Sequence, residues 1–333
     1  MTWTHRSFPH PPRGSAEVQT LEGAILTRFG RGPLRTIQAP TFWTVGAVYD
    51  SNGDLVTASQ RLGGLGGDHG VAADAERLPA TSPRERLEGT WLYGGNWMGQ
   101  FGHFLLETLP NLWPEPPELA GIVFHDYIWG SQVQDWQRFL IEAAGYSMPI
   151  RVVTTEPVTV DRLLLPSRPH VINGWALPEA VIAWRRVARH ITMTDRTRRR
   201  VHLSRTLVNR RLEAEGRRPR SSPLVDEAVD ELLAERGFDV VYPETLPVEQ
   251  QVQATVGADL VAGASGSALH LSVFSPPGAR VLEFSDSRTR DVPLPSQRVL
   301  DAVCGHESAL VPYTESLTDM AQSLDSLGLD RPR

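Results

Sequence analysis

Apolar and polar runs alternate most regularly between Phe238 and Phe284. FDVVYP reads as a strand, LPVEQQVQATVGA as a helix and LVAGA as a second strand. SGSALHLSVFS then reads as a helix opening on small residues, and PPGARVLEF as a turn and a third strand. Strands that are continuously apolar belong in a parallel sheet covered on both faces. The same rhythm starts earlier, at Glu88. TWLYGG is a strand, NWMGQFGHFLLETLPNLW a helix, GIVFHDYI a strand, SQVQDWQRFLIEAAG a helix closed by Gly145, and IRVVT and RLLLPS are strands. PEAVIAWRRVARHI (178–191) starts on Pro, as helices often do. VHLS opens the second half, followed by the helix SSPLVDEAVDELLAERG, which has Ser at its cap, acids in its first turns and Gly237 at its end. ALVPY is a late strand, and SLTDMAQSLDSLG is a last helix that can pack back on the first half. The first fifteen residues are Pro-rich and read as irregular. Ser51-Asn52-Gly53, between FWTVGAVYD and DLVTAS, predicts a hairpin. RLGGLGGDHG (61–70) follows no buried strand, and reads as a mobile loop or a substrate-contacting one.

This is an α/β pattern in two halves. The polar run TDRTRRR (194–200) marks the division, giving domains 1–193 and 194–333. Ligands of open α/β sheets bind beyond the carboxyl ends of strands. The turn Gly263-Ala264-Ser265-Gly266-Ser267 joins a strand end to a helix start, so unpaired N–H groups and the helix dipole make it an anion site. A phosphate-bearing ligand is the first expectation.

Composition narrows the classes. The 333 residues are 41% hydrophobic, enough for real cores, and the net charge of −6 argues against a nucleic-acid partner or a general anionic-membrane surface. All 33 cationic side chains are Arg, so no Lys can form a Schiff base or serve a P-loop. Cys304 is alone, which excludes an internal disulfide and a Cys-based zinc site. No segment has the apolar core of a signal peptide or the length of a membrane span; a cytoplasmic protein is expected, meeting the membrane peripherally if its substrate is lipid-linked. GxGxxG after a strand, P-loop, HExxH, GxSxG and DxD motifs are absent, which weakens dehydrogenase, ATPase, zincin and hydrolase readings.

Arg205 follows the strand HLS, with Arg210 and Arg211 close behind. A guanidinium fork matches phosphate oxygens bidentately, although a solvated basic loop has the same composition here, where Arg217, Arg218 and Arg220 follow. His103 and Glu107 lie four apart on one helix face. They suit a metal pair, a structural ion pair, or a catalytic pair in which Glu107 is the general base and His103 orients it. Trp91, Tyr93, Trp97, Phe101, Phe104 and Trp113 around them can stack on sugar faces or fill core. Asp68, Asp126 and His125 are the fallback bases.

HLSRTLVNRR (202–211), YPETLPVEQQV and VAGASGSALHLSVFSPPGARVLEF resemble the carboxy-terminal half of glycosyltransferase family 61. NWMGQFGHFLLETLPNLW (96–113) resembles an aromatic element of its amino-terminal half. Two positions depart from the family pattern: Ser265 stands where the family has His, and Gln250 stands at the family's second Glu, with Glu249 one place before. The resemblance implies a GT-B-like fold, two Rossmann-like α/β domains facing a cleft. It implies an inverting, metal-independent and cofactor-free enzyme of surface polysaccharide or capsule biosynthesis. Such an enzyme passes a sugar from a nucleotide diphospho-sugar to a glycan, lipid-linked or other hydroxyl acceptor. Arg205, Arg210, Glu244, Ser265, Gly266 and Ser267 would then hold the donor, with Glu244 on the ribose, and Glu107 and His103 would serve the acceptor. Ser265 keeps open a catalytically silent nucleotide- or glycan-binding protein on the same fold. A different group transferase, such as a pyruvyltransferase, is the other alternative.

Overall fold

The apolar runs read as strands after Glu88 all pair into sheets in the computed structural model. It describes residues 1–27, 30–32, 43–45, 47–61, 78, 83, 85–116, 118–127, 132–154, 156–191, 199–312 and 314–330. The chain is mixed α/β and forms two units, His10–Arg186 and Met1–Pro9 with Val187–Arg333. The division falls inside the helix Ala180–His190. The polar run at 194–198, the Gly-rich run at 62–70 and Asp68 lie outside the described residues.

In the unit His10–Arg186, β1 (Val18–Leu26), β2 (Val48–Tyr49), β3 (Glu85–Asn96), β4 (Gly121–His125), β5 (Ile150–Val153) and β6 (Val158–Pro166) form one sheet in the order β2-β1-β6-β3-β4-β5. β6, β3, β4 and β5 run parallel, with β1 and β2 antiparallel at one edge. Beyond β2 the Ser51-Gly53 turn closes tightly: Gly53 has φ +80°, and Leu55 bridges back to Tyr49. The helix α1 (Asp135–Ala143) leads into β5. Leu21, Ala24, Trp91, Val123, Val160 and Leu163 belong to one buried core.

In the other unit, β7 (Arg199–Leu203), β8 (Asp239–Val241), β9 (Ala258–Ala264), β10 (Arg280–Phe284) and β11 (Glu307–Val311) are all parallel, in the order β8-β7-β9-β10-β11. Counted along the chain this is 2-1-3-4-5, a doubly wound order whose direction reverses between β7 and β9. Ligands of such sheets bind at that switch point, at the carboxyl ends of those two strands. The helices are α2 (Thr206–Ala214), α3 (Pro223–Ala234), α4 (Val248–Val256), α5 (Pro295–Cys304) and α6 (Leu317–Ser326). Val229 and Leu233 of α3 share a core with Met320 and Leu324 of α6, above Leu260, Ala262 and Leu282 of the sheet. The last helix packs on its own half, where its apolar stripe completes this layer.

Two further expectations are corrected. The first fifteen residues are irregular except at one place: Thr4–His5 pairs antiparallel with β11, and next to it Arg6 is buried against Glu283 and Asp301 at 2.8 Å each. The run after Ser267 forms only a six-residue 3-10 turn, Leu269–Phe274, because Pro276-Pro277 cannot extend a helix. That turn is too short for a helix-dipole argument at 265–267.

Candidate functional site

Two clusters of charged side chains stand out, one in each unit. The first is built on the segment after β3. Phe101–His103 is α-helical, Phe104–Thr108 widens to a π-turn in which the Leu109 N–H reaches back to Phe104 O, and Leu109–Leu112 tightens to 3-10 around Pro110. Single π-turns inside helices are frequent at functional sites. Leu105, Leu106, Leu109 and Leu112 anchor the segment in the core, and Asn111 Nδ2 ties it to Gly94 O and Glu107 O at 3.1 and 2.8 Å. Those contacts press Glu107 inward until it is 5% exposed.

His103 and Glu107 do meet: Nδ1 and Oε2 are 2.5 Å apart. The sequence reading missed their third member. Arg61 Nε and Nη2 both donate to Glu107 Oε1 at 2.7 Å, and its guanidinium lies 5.2 Å from the Tyr127 ring centre. The clue was Arg61 itself, the one cation opening the Gly-rich run. Burial pushes the Glu107 carboxyl up, but the Arg61 charge and the bonds from His103 and Arg61 outweigh burial and pull it down to about 2. The expectation made Glu107 the general base. A carboxylate held that low, with both oxygens engaged, is a weak one, since an effective base sits near the working pH. The His103 ring, 30% exposed, stands between this buried carboxylate and solvent.

This geometry carries a stability prediction. The Glu107 carboxyl titrates at about 2 in the folded chain against an ordinary 4.5, so its pairing contributes about 3 kcal/mol above pH 4.5. That contribution is lost as pH falls from 4.5 towards 2. In urea titrations between pH 6 and 3, the stability gap between wild type and Glu107→Gln should narrow as the solution is acidified. A constant gap would show that the ion pair does not hold the proton off.

Of the surrounding aromatics, Trp91, Tyr93, Trp97 and Phe104 are buried, with Trp97 edge-on to Phe104 and Phe124, so they fill core. Phe101 is half-buried, its ring 5.5 Å from Trp136, and Trp113 donates to Ser167 O. His125 is fixed between the Tyr93 hydroxyl and Thr27 O, and burial takes its imidazole down to about 4, a structural role. Burial also raises the Asp126 carboxyl.

The second cluster sits at the switch point. Arg205 follows β7 and leads into α2; Ser265 and Gly266 follow β9. Gly266 has φ +142°, and a Cβ there would lie 3.0 Å from Arg205 Nη1, 3.0 Å from Arg220 Nη1 and 3.9 Å from Arg288 Nη2. Three guanidiniums thus converge on one turn whose backbone only glycine adopts readily. The Ser265 carbonyl accepts from Arg288 Nη2 at 2.9 Å and Arg205 Nη1 at 3.5 Å. Arg288 also grips Asp286 through Nε and Nη2. Burial, then the charges of Arg220 and Arg288, lower the Arg205 guanidinium to about 10. Burial and Arg288 lower Arg220 as well. Like charges held together in this way favour an anion between them.

The loop that presents Arg205 is clamped on both sides by one carboxylate. Asp230 accepts from Ser204 Oγ at 2.8 Å, Thr206 Oγ1 at 2.7 Å and Tyr242 OH at 3.2 Å, and lies 3.0 Å from His202 Nε2. Asp230, Arg220 and Arg288 were not singled out in the sequence. Arg220 stands beside Arg217 and Arg218 in a stretch of basic composition, and Arg288 follows β10 at its carboxyl end, where ligands of such sheets bind.

The remaining expected residues spread out. Ser265 turns its hydroxyl inward to Glu283 Oε1 at 2.7 Å, so towards this cluster it offers its carbonyl. Ser267 is exposed. Arg210 and Arg211 lie on the exposed side of α2, paired with Glu227 and Glu215. Glu244 is exposed on the 243–245 turn after β8, and Glu249 sits in the first turn of α4. Among the described residues, no group of three or more His, Cys, Asp or Glu is placed to hold a metal ion, and no helix is long and apolar enough to cross a membrane.

A family model, Glycosyltransferase 61, matches residues 101–282, more than half of the chain. The match takes in the His103–Glu107 pair, Arg205, Arg220 and Gly266. None of the curated proteins matches the chain.

Proposed function

Since the chain belongs to glycosyltransferase family 61 and is a glycosyltransferase, we propose that it is an inverting, GT-B-type enzyme. It takes the sugar of a nucleotide diphospho-sugar and passes it to a hydroxyl on a glycan or lipid-linked acceptor, in cytoplasmic assembly of surface polysaccharide such as capsule. The carrying observation is the convergence of Arg205, Arg220 and Arg288 on Gly266 at the switch point. The diphosphate would lie against these guanidiniums, which neutralise the charge that grows as it leaves. Fixed positive charge of this kind does for a leaving diphosphate what a divalent ion does elsewhere. The donor unit is the one built on β7–β11, and the unit His10–Arg186 presents the acceptor.

In this reading His103 is the base and Glu107 its orienter. Glu107 holds Nδ1, so Nε2 would take the acceptor hydroxyl proton while that oxygen attacks the anomeric carbon. The bond from that carbon to the phosphate oxygen breaks, and its electron pair leaves with the nucleoside diphosphate. A buried carboxylate that fixes the tautomer of a more exposed imidazole is the logic of hydrolase triads. Phe101 and Trp136 beside His103 offer a partly exposed aromatic face for a sugar ring.

The test is release of nucleoside diphosphate from a panel of nucleotide sugars by the intact protein, in EDTA, with acceptor glycans present. Turnover in chelator is expected. Turnover abolished by EDTA and restored by Mn²⁺ would overturn the arginine account. Binding of nucleotide sugar with no turnover would favour the silent binding protein, which Ser265 keeps in view. A product carrying pyruvate, identified by mass, would favour the other transferase.

A second prediction concerns affinity. Arg205→Ala should weaken nucleoside diphosphate binding by about 1.5–3 kcal/mol, the usual worth of a hydrogen bond to a charged group. Unchanged affinity in titration calorimetry would take Arg205 out of the site.

A further inference from the structure

Beside the cluster of His103, Glu107 and Arg61 stands one charge that nothing nearby answers. Arg168 follows β6 at its carboxyl end, and Asn96 ends β3, the parallel neighbour of β6. Arg168 Nη2 donates to Asn96 Oδ1 at 2.9 Å and to Ser59 O at 3.1 Å. Its Nε is buried without a hydrogen-bond partner. Among the described residues, no carboxylate forms an ion pair with it.

One asparagine joins this guanidinium to the cluster. A Cβ on Gly95, where φ is +83°, would lie 3.3 Å from Arg168 Nη1 and 2.5 Å from Asn111 Nδ2, so glycine is what lets these groups close up. Asn111 Nδ2 in turn donates to Glu107 O, and Ser59 stands just ahead of Arg61. Burial lowers the Arg168 guanidinium; Tyr93 and Glu107 pull it up, and Arg61 pushes it down. Tyr93, raised to about 12, and His125, lowered to about 4, are both neutral at pH 7. Two guanidiniums therefore share the single negative charge of Glu107.

We propose that the acceptor supplies the missing charge: a carboxylate or phosphate on it lies against Arg168 while a hydroxyl of the same molecule faces His103. The proposal rests on the reading above in which this unit presents the acceptor. A buried cation without a counter-charge is costly, and a bound anion removes that cost where a neutral sugar leaves it in place. Ligands of open α/β sheets bind beyond the carboxyl ends of strands, where Arg168, Asn96 and His125 all sit. The Arg168 side chain is half-buried rather than sealed, so a ligand can reach it. A guanidinium fork fits either kind of acid. The acid group is not consumed: the hydroxyl proton still goes to His103, and the bond that breaks is still that of the donor. Arg168 thus binds and selects. Its rival role is to fasten Ser59 and Asn96 and so present Arg61 to Glu107.

The experiment runs matched acceptors with the full chain and a nucleotide sugar that it turns over. Oligosaccharides ending in glucuronate are compared with the same chains after carboxyl reduction, and an octyl glucoside phosphate with octyl glucoside. For one pair, wild type should show kcat/KM higher by about tenfold or more for the acid member, chiefly through KM, as a charge-assisted bond supplies. The pair that shows it tells carboxylate from phosphate. Arg168→Met should make the two members of that pair nearly equal, and Arg168→Lys should keep part of the preference. If Arg168 only fastens the loops, Arg168→Met will slow both members alike and keep the wild-type ratio, which overturns the proposal. Equal use of acid and neutral members by wild type overturns it without any variant, which covers a variant that does not fold. Titration calorimetry with the same glycans separates the proposal from its premise. Neutral members bound as well as acid ones sink the proposal alone, whereas no binding and no transfer in either pair sinks the acceptor reading of this unit.

Discussion

Replacing His103 by Ala should lower kcat by about 10²–10⁴, the usual contribution of a positioned general base, while donor affinity stays near normal. Glu107→Gln should also be slow, because an amide cannot hold the Nδ1 proton as the carboxylate does, and a wrong tautomer disables the ring. The double variant should be no slower than His103→Ala alone: two residues that act as one unit give non-additive losses. Arg61 complicates the Glu107 variant, since removing the carboxylate leaves a largely buried guanidinium without its 2.7 Å partner. Each variant therefore needs a stability measurement at the assay temperature before its rate is read. The opposite ranking, with His103→Ala near normal and Glu107→Gln inactive, would return the base to Glu107. Full activity in both variants would make the pair structural.

The layout of the parallel sheet was legible because its strands carry apolar residues on both faces. LVAGA is apolar throughout, VHLS and RVLEF bury His202, Ser204 and Glu283 among their apolar residues, and all three lie in the middle of one sheet. The helices flanked by clear punctuation, Pro223–Ala234 and Leu317–Ser326, were equally plain. Thr206–Ala214 was hidden because its sequence, TLVNRRLEA, has its arginines on an exposed side and reads as a basic loop. Pro295–Cys304 was hidden by the polar residues it buries: Gln297 and Asp301 face inward, satisfied by Ser272, Ser308 and each other. A binary apolar pattern cannot register a buried polar network.

The candidate site was legible in its anchors and not in its partners. The Arg205 and Gly266 positions followed from strand ends, a local rule. Arg220 and Arg288 reach Gly266 from 46 and 22 residues away, and in a chain whose every cation is Arg no single one announces itself. Ser265 is the instructive case. It looked like a lost catalytic histidine with a hydroxyl left for the ligand. Its hydroxyl serves a buried carboxylate, Glu283, which also takes the Leu294 N–H and Arg6, a residue 277 positions upstream. Spacing alone carries no trace of that contact.

Arg6 therefore sets up the largest stability effect expected outside the two charged clusters. Its side chain is 8% exposed and its Nη1 lies 2.8 Å from both Glu283 and Asp301, neither of which is exposed. Burial already raises the Glu283 carboxyl against the pull of Arg6. Arg6→Met keeps much of the side-chain volume and leaves two buried carboxylates without their cation. Breaking a buried pair in this way costs about 3–5 kcal/mol, a large part of the 5–15 kcal/mol that holds a typical domain together. The sign of the pH dependence follows. Without Arg6 the Glu283 carboxyl rises further above its unfolded value, and a raised carboxyl stabilises the fold at low pH and ceases to as pH climbs through the folded value. The variant's deficit in urea should therefore be smallest near pH 5 and grow towards pH 8. Glu283 also holds Ser265, next to Gly266, so nucleoside diphosphate binding should weaken in the variant even where it remains folded. An unfolding midpoint equal to that of wild type at pH 8 would show that the first nine residues are an ornament on the sheet edge, and that the Ser265 turn is held without them.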